Sequence, residues 1–132
     1  TSSLEQELYA ATVNFYEAIN EAFRTLDTRP VAEVLVPGSR AASGYTNFIE
    51  RVKADGHRFA DVGDYVISDF TVRSDASGET ERVEFNLAHP AGRIVDAQGR
   101  TVRTLPATSS KAWIDFQRRG DRWLVLSQHV DE

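Results

Sequence analysis

Lys111-Ala112-Trp113-Ile114-Asp115-Phe116-Gln117-Arg118-Arg119-Gly120-Asp121-Arg122-Trp123-Leu124-Val125-Leu126-Ser127-Gln128-His129-Val130 reads as a β-hairpin, two alternating runs closed on a Gly-Asp turn. Its register follows from its pattern, because a one-residue slip moves every side chain to the other face of a sheet. An odd-numbered loop, Arg119-Gly120-Asp121, groups Ala112, Ile114 and Phe116 with Leu124, Leu126 and Val130 on an almost wholly apolar face. The same pairing gathers Trp113, Asp115 and Gln117 with Trp123, Val125, Ser127 and His129 on the other. A two-residue Gly-Asp loop would mix apolar and polar side chains on both faces, so the odd loop is the expectation.

Moving upstream, the Ser/Thr/Pro-containing stretch Thr104 to Ser110 reads as a loop. Ile94 to Val102 reads as a further hairpin at the sheet rim, with Asp96 and Gly99 clustered between short β-branched runs. Val83, Phe85 and Leu87 alternate with Arg82, Glu84 and Asn86, and Val66, Ser68, Phe70 and Val72 alternate with Ile67, Asp69, Thr71 and Arg73. These are two neighbouring strands joined by a turn over Ser74 to Gly78.

Before Gly56 the period changes from two to that of a helix. Leu8, Ala11, Phe15, Ile19, Ala22 and Leu26 recur at steps of three and four, and Tyr9, Val13, Tyr16 and Phe23 widen the apolar stripe. Ser3, Glu7, Asn14, Glu17, Glu21 and Arg24 form the polar ridge of this main helix. A short second helix is expected from Asp27-Thr28 and Pro30 to Pro37-Gly38. A third carries Tyr45, Phe48, Ile49 and Val52 and stops at Asp55-Gly56.

The 132 residues suit a single domain over 1–132 with one core. Twenty acidic residues against 15 basic ones give a net charge of -5. The charges are interspersed, so no basic stripe is available for nucleic acid. No apolar run approaches the roughly 20 residues of a membrane span. Without cysteine there are no disulfides, thiolate metal sites or cysteine nucleophiles. The chain begins Thr1-Ser2-Ser3 and contains no methionine, which reads as a trimmed or processed mature form.

Three helices followed by antiparallel strands make an α+β layout, with the helices packed on one face of a curved sheet. The helix segment Phe15-Tyr16-Glu17-Ala18-Ile19-Asn20, the turn Leu26-Asp27-Thr28, the helix end Ala54-Asp55-Gly56 and the closing Gly-Asp-Arg-Trp-Leu-Val hairpin together resemble the cone-shaped nuclear transport factor 2-like superfamily. The resemblance covers nearly the whole chain. Within it, the Tyr16 helix and the Val95-Asp96-Ala97-Gln98-Gly99-Arg100 hairpin resemble a group of actinobacterial lipoproteins of unknown function. Members of that group commonly have a cysteine pair near Gly38 to Ser43, where this chain has none. That resemblance implies a lipid-anchored protein outside the cytoplasmic membrane, with its anchor upstream of Thr1; a cytoplasmic protein is the alternative.

On the mixed hairpin face, Trp113 and Trp123 offer stacking surfaces, while Asp115 and His129 are groups able to exchange protons near neutral pH. With Tyr16 they form the candidate ligand-binding set. In steroid isomerases and polyketide cyclases of the superfamily, a carboxylate or an Asp-His pair in the cone performs acid-base chemistry. Were the chain such an enzyme, Asp115 and His129 would be its catalytic residues; the competing reading is a solvated or dimer-forming sheet face. Tyr9, Tyr16 and Tyr45 either line a cone cavity or are core aromatics with one polar end.

His57 reads as an electrostatic cap after a helix end, and His89, before Pro90, as the last residue of its strand. No metal-ligand spacing, nucleophile elbow or phosphate-binding glycine loop occurs, and no cofactor is expected. Arg119-Gly120-Asp121 matches ordinary turn chemistry as well as an integrin-type tripeptide. The favoured function is a non-catalytic extracytoplasmic, lipoprotein-type domain that binds a small apolar ligand or a protein partner. The alternatives are a small acid-base enzyme of the isomerase or cyclase type, and a homodimer joined through the sheet face.

Overall fold

The computed structural model describes residues 3–61, 63–74 and 80–131. Helix α1 (Leu4–Thr25) begins with a reciprocal cap: the Gln6 N–H donates to the Ser3 hydroxyl, and the Ser3 N–H donates to Gln6 Oε1. Two donors that no helical carbonyl could reach are thereby satisfied. The helix ends at Leu26, which turns the chain at φ 57. Its expected apolar face is buried at Leu8, Phe15, Ile19 and Ala22, and the expected polar ridge is exposed. Thr12 and Asn20 are also buried. Thr12 is neutralised by its hydroxyl donating to the Leu8 carbonyl at 2.8 Å.

Helix α2 (Arg29–Ala32) is one turn long, shorter than its pattern suggested. The chain leaves it to pair with the last strand: the Val36 N–H donates to the Val125 carbonyl, and the Val125 N–H donates to the Val34 carbonyl, each at 2.8 Å. Sheet hydrogen bonds there replace the helical ones that Val34 and Leu35 were expected to make. Helix α3 (Arg40–Ala54) is capped by Ser39 and stops where expected, at Asp55 and at Gly56 with φ 74.

The strands are β1 (Arg58–Ala60), β2 (Val66–Ser74), β3 (Thr80–His89), β4 (Gly92–Val95), β5 (Thr101–Leu105), β6 (Thr108–Arg119) and β7 (Arg122–Val130). They form two antiparallel sheets, a large one in the order β2-β3-β6-β7 and a small one in the order β1-β4-β5. The hairpin expected at the rim is therefore two-thirds of a separate sheet, completed by β1, three residues whose brevity hid them from any periodicity. Thr104 and Leu105 finish β5 and Thr108 to Ser110 begin β6, so only Pro106 and Ala107 connect where a longer loop was expected. Of the expected turn over Ser74 to Gly78, residues 75–78 lie outside the described residues.

The closing hairpin corrects the odd-loop expectation. Arg119 pairs with Arg122, leaving the two-residue turn Gly120-Asp121, with Gly120 at φ 65. A two-residue turn with a left-handed first residue matches the twist of the flanking strands, which the side-chain pattern alone does not encode. The pattern is restored by a bulge: Phe116 pairs with Val125 but Asp115 pairs with Ser127, leaving Leu126 as the extra residue. Val125 is consequently buried against the core and Trp123 packs on the same side, while Leu124, opposite Gln117, and the bulged Leu126, both expected in the core, are only half-buried and outside it. Strand β2 has a second irregularity between Ser68 and Thr71, where Asp69 has φ 54. It places Ile67, Phe70 and Val72 against the core, and Val66 is 60% exposed.

The main core lies between the helices and the large sheet, where Leu8, Phe15, Ile19, Val31 and Ile49 meet Val83, Ile114, Phe116 and Val125. Burying one side chain of this size is worth about 1.5–3 kcal/mol. A satellite core joins α3 to the small sheet through Val52, Phe59 and Ile94, with the Phe23 and Phe59 rings stacked 4.4 Å apart. Among the described residues no helix is long and apolar enough to cross a membrane.

Candidate functional site

At the edge of the main core, α1, α3 and β7 each contribute one polar group to a part-buried hydrogen-bonded chain. The Tyr45 hydroxyl donates to Gln128 Oε1 at 2.6 Å, and Gln128 Nε2 donates to the Tyr16 hydroxyl at 2.9 Å. The two lengths suit an O–H donor and an N–H donor respectively. Gln128 reaches this place because the Leu126 bulge turns residues 128 and 130 inward, opposite Ile114 and Ala112.

Aromatic rings surround the chain. Tyr16 packs on Tyr65 at 4.7 Å, Tyr65 on His89 at 4.4 Å, and Phe15 on Tyr45 at 5.9 Å. Burial pushes the Tyr16 and Tyr45 phenols far above their ordinary value, and Tyr65 is pushed up to about 12 by the same cause. All three stay protonated and neutral at physiological pH. Burial also lowers His89, favouring its neutral imidazole.

The expected set on the closing hairpin divides between two faces. Trp113, Asp115 and His129 share the outer face of the large sheet. The Arg82 guanidinium grips Asp115 with two bonds of 2.7 and 3.0 Å and lies 4.0 Å above the Trp113 ring, which stacks on His129 at 5.5 Å. Ser127 donates a third hydrogen bond to Asp115 at 3.2 Å. His129 meets Asp131 at 2.9 Å, and its side chain is 52% exposed. This is a solvated ladder of charges and rings, and neither Asp115 nor His129 faces an enclosed cavity there.

Trp123 sits on the opposite face, packed on the main core near α1, with Arg118 5.3 Å from its ring. Tyr16 lies in the interior, and Tyr9, expected with it, is 44% exposed with its ring edge on Phe70. The five expected ligand-binding residues therefore occupy three places. Among the described residues, no three His, Asp or Glu side chains come together in a way that could hold a metal ion.

The shape of the whole chain is shared with several solved structures. The intermembrane-space region of the chloroplast protein ARC6 superposes with a TM-score of 0.77 at 15% identity, over 98% of each chain. An NTF2-like family protein from Streptomyces avermitilis gives 0.56 at 14% identity, over 94% of this chain and 92% of that one. An NTF2-like protein of unknown function from Shewanella oneidensis MR-1 gives 0.54 at 11%, over 95% and 99%. The chain has the nuclear transport factor 2-like fold. No family model and no curated protein matches it.

In this nuclear transport factor 2-like cone, the Tyr45-Gln128-Tyr16 chain lies behind an open cleft of about 430 Å3 between α3 and β7. Ala41, Gly44 and Phe48 supply apolar walls, and Arg40, Tyr45, Ser127 and Gln128 bring polar groups to it. A Cβ added to Gly44 would meet no atom within 4 Å, so the missing side chain is itself part of the opening. Gln128 was not singled out in the sequence. The signal available was a lone amide among Leu124, Leu126 and Val130, on the face read as almost wholly apolar.

Proposed function

We propose that this domain binds a small apolar ligand in the α3–β7 cleft and performs no chemistry on it. The observation that carries the reading is the end of that cleft on the Tyr45-Gln128-Tyr16 chain: apolar walls to bury a ligand body, and a few fixed polar groups to orient it. Burial raises both phenols, so they stay protonated at pH 7 and act as fixed hydrogen-bonding groups. The acid-base alternative on Asp115 and His129 draws no support from the site, because Arg82 and Ser127 already hold Asp115. A location outside the cytoplasm, as a lipoprotein-type domain, is part of the same proposal. It is supported by the sequence resemblance and by a structural relative that comes from an intermembrane space.

Fluorescence titration with the neutral dye N-phenyl-1-naphthylamine tests the site. The dye is expected to brighten saturably with the wild type and to lose its binding in Gly44→Leu, whose side chain fills the cleft from a backbone position that accepts it. Equal dye binding by Gly44→Leu and wild type, with both folded by circular dichroism, overturns the reading.

A further inference from the structure

The polar groups around the α3–β7 cleft are not evenly divided between the two signs of charge. Arg40, the first residue of α3, lines it, and among the described residues no aspartate or glutamate does. Arg24, Arg29, Arg73, Arg82, Arg93 and Arg100 are each tied to a carboxylate. Arg40 is not: its side chain is exposed and has neither an ion-pair nor a hydrogen-bond partner among the described residues. A guanidinium carries five N–H groups and no acceptor, so this one is free to meet an anion at the cleft.

The amide beside it leaves a demand of the same kind. Tyr45 donates its hydroxyl hydrogen to Gln128 Oε1, and Gln128 donates one of its two Nε2 hydrogens to the Tyr16 oxygen. The second Nε2 hydrogen has no acceptor among the described residues. An oxygen with one lone pair unused is common in proteins, whereas an unpaired N–H is rarer. Gln128 is half-buried and lines the cleft with Arg40, so the polar side of the site is short of acceptors.

That balance discriminates between ligand heads. An ammonium head would meet the Arg40 charge with no carboxylate to offset it. A hydroxyl head would satisfy an amide and leave the guanidinium in water. A carboxylate offers two acceptor oxygens in the geometry that the guanidinium fork matches.

We propose, building on the reading that this cleft holds an apolar ligand, that the ligand is an amphipathic carboxylate. Its apolar body lies against Ala41, Gly44 and Phe48, and its anionic head turns to Arg40. Because Arg40 is exposed, the pair forms in solvent and no bare charge is buried. Burial of the body supplies the affinity, and the charge sets the orientation and the choice of head.

The test is displacement of N-phenyl-1-naphthylamine at neutral pH by three probes of one chain length: octanoate, 1-octanol and octylammonium. Octanoate is expected to displace the dye at a concentration about threefold to fivefold below that of 1-octanol, the range an exposed ion pair supplies. Octylammonium requires the highest concentration of the three. Added salt narrows the gap between octanoate and octanol, as it does for any exposed pair. Arg40→Gln abolishes the gap and Arg40→Lys, which keeps the charge without the fork, retains part of it. Arg103→Gln, an exposed change on β5 of the small sheet, leaves the gap in place. Octanol or octylammonium displacing the dye as readily as octanoate, or an octanoate-to-octanol ratio that Arg40→Gln does not alter, overturns this inference and leaves the apolar cleft standing. Dye binding that does not depend on Gly44 overturns both.

Discussion

Gln128 Nε2 donates to the Tyr16 hydroxyl at 2.9 Å, tying the last strand to the first helix across 112 residues of sequence. Because Tyr45 donates to the other end of the same amide, one side chain satisfies two phenols in the core. Gln128→Leu keeps the volume and leaves both hydroxyls without this partner. Chemical denaturation is expected to show a loss of about 1–3 kcal/mol, the cost of stranding buried polar groups. Adding Tyr16→Phe to Gln128→Leu is expected to cost less than Tyr16→Phe costs alone, since the contact is already gone. Strict additivity in that cycle would mean that the two groups do not interact.

Gly44 is a glycine inside a helix, with no atom within 4 Å of the Cβ it lacks. Gly44→Ala is therefore expected to stabilise the protein by about 0.5–1 kcal/mol, through reduced chain entropy and better helix propensity. Thermal melting checks it. A lower midpoint would mean that the cleft wall stands closer than this geometry allows.

Most of the fold was legible because its long elements have strong periods. The α1 stripe from Leu8 to Ala22 and the Val83-Phe85-Leu87 alternation are each repeated often enough to fix both element and face. What escaped were features one or two residues long. The Leu126 bulge and the irregularity near Asp69 each shift parity halfway along a strand, so a rule of strict alternation assigns Trp123, Leu124 and Val66 to the wrong sides. The candidate site was less legible still. Tyr16 and Tyr45 were visible as helical tyrosines, but Gln128 matters through a partner 112 residues away, and no local pattern encodes that.

The hairpin turn offers a direct check of the corrected register. Gly120 has φ 65, a conformation that costs an L-residue roughly 1–2 kcal/mol, so Gly120→Ala is expected to destabilise by about that amount. Gly120→Asn is expected to cost less, since asparagine tolerates the left-handed region. An NMR contact between the Arg119 and Arg122 amides confirms the closing pair. Pairing of Arg118 with Arg122 instead would restore the three-residue loop and remove the need for a bulge.

His89 predicts the sign of a pH effect. Its ring packs at a tilt on Tyr65 at 4.4 Å, and burial lowers its pKa from the ordinary 6.5. As pH falls through the ordinary value, the unfolded chain takes up a proton that the folded chain resists. The unfolded state then binds more protons, and stability declines as pH drops from about 7 towards 5. Asp27 and Asp96, both lowered by hydrogen bonds to their neighbours, lose their contribution only at more acid pH. His89→Phe retains a ring for Tyr65 and removes the titrating group, so its melting temperature is expected to fall less over that window than the wild type's. His57 and His129 remain in both proteins, and whatever they contribute cancels in the comparison. An identical pH slope in the two proteins would show that the imidazole gains its proton as readily in the folded chain as in the unfolded one.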